Sequence, residues 1–67
     1  MNIDNIQAAV SKYSFTAESQ EDHVVVKNKK GQIVARVQDG KVEQVYAGSK
    51  NLCGALVRND IVAALEV

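Results

Sequence analysis

The chain has 67 residues, of which 46% are hydrophobic, and its eight basic and eight acidic side chains give no formal net charge. A chain of this length buries only about 60% of its unfolded surface, so it has room for one small core and not for a deep substrate cleft. A neutral chain also lacks the general attraction for nucleic acid that an excess of basic residues provides. We therefore expect a single non-catalytic domain over residues 1–67.

The first predicted element is a short helix. Hydrophobic residues recur three or four positions apart from Ile3 to Tyr13, which places them on one face of a helix. Asn2 or Asp4 is available as its N-cap. The spacing predicts a helix over residues 3–12.

After this helix the period of the hydrophobic pattern changes to two, which is typical of strands. We predict four strands, over residues 14–18, 23–27, 32–37 (with Gln38) and 41–46. The connections are SQED, NKKG and Asp39-Gly40, and Asp-Gly between alternating runs predicts a hairpin with a type I′ turn. The strands should therefore form an antiparallel meander.

The loop lengths set which residues lie opposite each other. The expected pairs are Val37 with Val42, Arg36 with Glu43, Val34 with Val45, Ile33 with Tyr46, Lys27 with Gln32 and Glu18 with His23. One face of the sheet is then apolar and should form the core. Its expected rows are Phe15–Val26–Ile33–Tyr46 and Ala17–Val24–Ala35–Gln44, with Val37 and Val42 at the end.

The last predicted element is a helix within residues 51–67, where apolar residues again recur at helical spacing. The polar run 58–60 is an interruption that could divide it, with Asp60 capping a second piece, but we expect one helix. Both helices should pack on the apolar face of the sheet. The predicted fold is α+β, a four-stranded antiparallel β-meander with an N-terminal and a C-terminal helix on one face (α-β-β-β-β-α).

The stretch Gly48-Ser49-Lys50 has the strand–glycine–lysine–helix order of a phosphate-binding loop. A P-loop needs a second glycine and a lysine followed by Ser or Thr, and both are missing here. We interpret the stretch as a corner with Ser49 or Asn51 as the helix N-cap. A weak anion site at the start of the helix is the alternative.

No apolar run is long enough to cross a membrane and no leader is apparent, so we expect a soluble, cytoplasmic chain without a membrane partner. Cys53 is the single cysteine, which excludes an internal disulfide and fits a reducing compartment. Its aliphatic neighbours indicate a buried hydrophobe rather than a nucleophile. We expect no cofactor and no metal site.

The opposite face of the predicted sheet carries an apolar strip formed by Val25, Val34 and Val45. Strand propensity alone places valine at such positions. The strip and its charged rim also have the anatomy of an interface, whose partner would be another protein or a second copy of the chain. The rim residues of this candidate partner-binding site are His23, Arg36 and Glu43.

The expected row Glu18–His23–Arg36–Glu43 brings ionisable groups together on the same face. Alternating charges across strands usually stabilise a sheet. Partner contact is the second interpretation, and a catalytic role for His23 is the third, since no nucleophile or metal-ligand spacing accompanies it.

Residues 27–41 carry a net charge of +4, which suggests a basic hairpin formed by Lys27, Lys29, Lys30 and Lys41. Lysines at a hairpin tip more often provide solubility and protect an edge. Nucleic-acid binding is the alternative function, although no aromatic platform is expected beside them. The leading hypothesis is a small protein-interaction module that acts through the open sheet face, with homodimerisation as one form of it.

Overall fold

The computed structural model describes residues 3–66 and has the predicted order of helices and strands. The elements are α1 (Ile3–Val10), a 3₁₀ turn (Ser11–Tyr13), β1 (Thr16–Ser19), β2 (Val24–Lys27), β3 (Ile33–Gln38), β4 (Lys41–Gln44), β5 (Tyr46–Ala47), β6 (Lys50–Asn51) and α2 (Ala55–Leu65). The fold is therefore α+β, as predicted. Asn2, a candidate N-cap, and residue 67 at the end of the predicted second helix lie outside the described residues.

Strands β1 to β4 form an antiparallel sheet in the order β1-β2-β3-β4, which confirms the meander. At the last connection Asp39 and Gly40 both have positive φ angles, 53° and 76°, as a type I′ turn requires. The pairs across this turn are those predicted, Val37 with Val42 and Arg36 with Glu43.

The register between β1, β2 and β3 differs from the prediction by two residues. Val24 pairs with Ser19 of β1 and Val37 of β3, whereas the loop lengths predicted Ala17 and Ala35 as its partners. At the β2–β3 connection the side chain of Asn28 accepts hydrogen bonds from the N–H groups of Lys30 and Gln32, at 2.9 and 3.0 Å, and this closes a five-residue loop. A shift of two residues leaves the alternation of faces unchanged.

A β-bulge in β3 adds one more residue to this strand. Val26 pairs with Ala35, but the next residue, Lys27, pairs with Ile33, so Val34 has no partner in β2. A bulge of this kind turns two consecutive side chains towards the same face. Val34 and Ala35 accordingly both belong to the core, and Ile33 lies outside the core cluster.

The core lies between one face of the sheet and the two helices. Each helix buries a pair of residues one turn apart, Ile6 and Val10 from α1 and Val57 and Ile61 from α2. The sheet and the segment before α2 supply the rest: Val24, Val26, Val34, Ala35, Val37 and Cys53. The prediction that both helices pack on one face is confirmed.

Helix α1 also covers the free edge of the sheet at β1. The Gln7 side chain donates to the carbonyl of Phe15 at 3.2 Å and accepts from the N–H of Ala17 at 2.8 Å. One carboxamide therefore satisfies an outward N–H of β1 and the carbonyl just before this strand, which would otherwise be open to pairing with another strand.

The end of the predicted β4 and the predicted helix start need correction. Tyr46, expected in the core, is 56% exposed and pairs with Asn51 in the β5–β6 hairpin, whose turn is Gly48-Ser49. Helix α2 begins only at Ala55 with Gly54 as its N-cap, so neither Ser49 nor Asn51 caps it. The Asn51 side chain instead accepts from the N–H groups of the two residues before the helix, Cys53 and Gly54.

Helix α2 continues through residues 58–60, as expected, and Asp60 does not cap a second piece. Its carboxylate accepts a hydrogen bond from the Tyr13 hydroxyl and lies 3.1 Å from Nζ of Lys12. These contacts tie the end of α1 to the middle of α2. The hydrogen bond from Tyr13, followed by that from Lys12, holds the pKa of Asp60 below its ordinary value of 3.8.

This contact predicts a pH-dependent contribution to stability. Because the pKa of Asp60 is lower in the folded chain, its contribution is complete above pH 3.8 and is lost as the pH falls through the folded pKa. Asp60→Asn should therefore lower the free energy of unfolding at neutral pH, and the difference from the parent should shrink as the pH falls below 3.8. Urea unfolding followed by circular dichroism measures both values, and a difference that stays constant with pH would contradict the assignment.

Candidate functional site

The outer face of the sheet, opposite the helices, carries a cross-strand row that spans all four strands. The row is Glu18–Val25–Arg36–Glu43. Val25 takes the position expected for His23, because β2 is shifted by two residues. Val25 is only 4% exposed, and we attribute this to the longer Glu18 and Arg36 side chains on either side of it, whose aliphatic parts can cover a valine.

Charged groups surround Val25 on this face. The next outward residue of β2 is Lys27. Its Nζ lies 3.2 Å from Oε2 of Glu18. Both partners are partly solvated, so the pair adds at most about 1 kcal/mol. The face therefore has balanced charge around a covered apolar centre.

The predicted valine strip is not present as an exposed strip. Val34 is 1% exposed and belongs to the core, since the bulge turns it inward. Val45 is half-buried, and its N–H donates to the carbonyl of Val34 at 3.1 Å. The backbones of these two residues therefore lie opposite each other, as predicted. Ile33, which was expected in the core, is half-buried outside the core cluster and pairs with Lys27.

His23 lies in the β1–β2 turn, away from the row in which it was predicted. Its Nδ1 is 2.7 Å from Oδ1 of Asp22, and this hydrogen bond holds the pKa of Asp22 below its ordinary value. The other Asp22 oxygen accepts from Gln38 at 3.3 Å. Asp22, not His23, thus links the β1–β2 turn to the end of β3.

The remaining candidates for chemistry are separate from His23. Cys53 is buried in the core, and burial raises the pKa of its thiol, which disfavours the reactive thiolate. Within residues 3–66 no three His, Cys, Asp or Glu side chains are grouped so as to hold a metal ion.

The edge of the sheet at β4 differs from the edge at β1, because no side chain of residues 3–66 caps its backbone groups as Gln7 does at β1. Across the two-residue turn, Gln38 and Lys41 are paired directly, and hydrogen-bonded pairs then alternate along the hairpin. The hydrogen bond from Val45 to Val34 fits this alternation. The backbone groups of Val42 therefore point away from β3, towards the open edge.

The four lysines predicted as one basic patch are divided between the two ends of the sheet. Lys41 follows the β3–β4 turn at one end, whereas Lys29 and Lys30 form the tip of the β2–β3 connection at the other. Lys27 is paired with Glu18. The tip lysines instead share a groove with Lys50, from the β5–β6 hairpin. The β5–β6 hairpin was not predicted from the sequence, so the position of Lys50 beside Lys29 and Lys30 was not predicted either.

No family model, curated protein or solved structure matches this chain. No helix within residues 3–66 has the length and apolarity needed to cross a membrane.

The bulge predicts unequal losses of stability for two neighbouring substitutions. Val34→Ala should lower the free energy of unfolding by about 2 kcal/mol, because it removes two buried methyl groups and leaves a cavity. Ile33→Ala should cost less than half as much, although it removes a larger group, because Ile33 is only half-buried. Equilibrium urea unfolding compares the two, and a larger loss for Ile33→Ala would place Ile33, not Val34, in the core.

Proposed function

We propose that this chain is a non-catalytic protein-interaction module whose partner is a second copy of itself. The two copies join through their β4 edges, and their outer faces then form one continuous surface. The observation that carries the proposal is the difference between the edges: Gln7 caps the Ala17 N–H of β1 and the Phe15 carbonyl just before it, whereas no side chain of residues 3–66 caps the outward backbone groups of β4.

Antiparallel pairing of two β4 strands about a two-fold axis has a small set of registers. An axis at Val42 places its outward N–H and C=O opposite those of Val42 of the partner subunit, so each donates one hydrogen bond to the other. The same register places Lys41 opposite Glu43 of the partner subunit, and symmetry repeats this pair. The segment Lys41-Val42-Glu43 is therefore complementary to itself.

The neighbouring register is disfavoured by charge. An axis at Glu43 would place two Glu43 carboxylates directly opposite each other, and like charges in that position destabilise a sheet. Both Lys41 and Glu43 are exposed, so they are available for contact across the edge. Charge complementarity thus favours the Val42 register.

Self-association also suits the size of the chain. A domain of this length gains little stability from its own core, and small domains commonly add stability by forming oligomers. Pairing at β4 would extend the sheet to eight strands and continue the row that ends at Glu43. It would also remove the open edge, which otherwise can template aggregation.

Charge reversal tests this proposal with a matched pair of variants. Lys41→Glu leaves acidic residues at both positions 41 and 43, and Glu43→Lys leaves basic residues at both. In the Val42 register each variant then has like charges in both pairs across the edge. Each variant alone should dimerise at least about tenfold more weakly than the parent, because two attractive pairs become repulsive. An equimolar mixture should form a heterodimer with affinity near that of the parent, measured by sedimentation velocity and native mass spectrometry.

The heterodimer controls for folding, since a misfolded variant would not recover on mixing. A parent chain that stays monomeric at millimolar concentration would refute the proposed self-association. Dimerisation of the parent with no effect of either reversal would place the contact elsewhere on the chain.

A further inference from the structure

A groove of about 330 Å³ lies where three segments distant in sequence meet, at the end of the sheet away from the Asp39-Gly40 turn. The segments are the end of α1 with the start of β1, the β2–β3 connection, and β6. The lining residues are Tyr13, Phe15, Asn28, Lys29, Lys30, Gln32, Lys50, Asn51 and Leu52. Its volume is at the lower end of the range for small-ligand sites, about 300–1,000 Å³.

The groove is strongly basic although the chain has no net charge. Three lysines line it, Lys29, Lys30 and Lys50, and no acidic residue does. The ion pairs of residues 3–66 use other cations, so these three ammonium groups have no carboxylate partner. Such a concentration of unpaired positive charge attracts a phosphate or another anion.

Two aromatic rings form part of the same wall. The rings of Tyr13 and Phe15 have centroids 5.8 Å apart and planes inclined at 35°, and both side chains are half-buried. The Tyr13 hydroxyl is held by Asp60, which fixes this ring against α2. Planar aromatic faces next to lysines are what single-stranded nucleic acids bind, with bases on the rings and phosphates on the cations.

Both turns that carry the lysines are fixed by an asparagine. Asn28 accepts from the backbone N–H of Lys30 and also bonds the Gln32 side chain at 3.0 Å, which orders the tip of the β2–β3 connection. Asn51 bonds the backbone of Cys53 and so anchors the segment that follows Lys50. The backbone that carries the lysines is therefore ordered before any ligand arrives, which lowers that part of the entropic cost of binding.

We propose that this groove binds one nucleotide unit, with its base against Phe15 and Tyr13 and its phosphate against Lys29, Lys30 and Lys50. The unit belongs to a single strand of DNA or RNA or is a free nucleotide, since both present the same chemistry. The groove does not include β4, so this site is independent of the proposed dimer.

Binding is tested by fluorescence anisotropy with a labelled eight-nucleotide oligo(dT), and by competition with unlabelled TMP, at low salt. The double variant Lys29→Ala/Lys30→Ala and the single variant Lys50→Ala should each weaken binding and reduce its dependence on salt, which for one contacted phosphate has a logarithmic slope of roughly 0.7 in the parent. Phe15→Leu keeps an apolar side chain but removes the ring, and should weaken binding at least about fivefold.

Arg58→Ala is the matched control, because it removes one exposed positive charge outside the groove. It should leave binding unchanged, and circular dichroism checks that every variant folds. Competition by TMP identifies a free nucleotide as sufficient, and binding of the oligonucleotide without such competition identifies a strand. The proposal is overturned if neither probe binds, if Arg58→Ala weakens binding as much as Lys50→Ala, or if folded Phe15→Leu binds like the parent.

Discussion

The bulge at Val34 is the constraint on which the arrangement of this sheet depends. It adds one residue to β3 without adding one to β2, so the inward and outward positions exchange at that point. Val34 enters the core beside Ala35, and Ile33 is moved out of it. The regular ladder resumes at Ala35 and leads into the β3–β4 hairpin, whose outward groups define the open edge.

The two edges of the sheet differ in how far other parts of the chain cover them. Helix α1 closes the edge at β1 through Gln7, and the Tyr13–Asp60 contact joins α1 to α2. What remains accessible is the β4 edge, the outer face and the groove beside Phe15. In a domain with so small a core, a deep cleft would remove residues that the core needs, so the candidate interaction surfaces are open ones of this kind.

Much of the fold was predictable, because its signals are local. Alternating hydrophobicity marked the four strands, and Asp39-Gly40 set the β3–β4 pairing, since few sequences adopt two consecutive positive φ angles. The candidate site was less predictable. The valine strip was predicted from a regular ladder, whereas the bulge turns Val34 into the core and the β2–β3 loop, in which the Asn28 side chain accepts from the N–H of Gln32, is one residue longer than predicted.

The sequence by itself determined the α+β class, the order of the two helices and the four main strands, the β3–β4 hairpin and the burial of Cys53, because each follows from periodicity or from turn chemistry within a few residues. Only the tertiary structure decided the bulge, the β5–β6 hairpin and the meeting of Lys50 with Lys29 at the groove. These depend on packing between segments far apart in the chain. A two-residue slip keeps the same faces and nearly the same burial, so local pattern cannot choose between such registers.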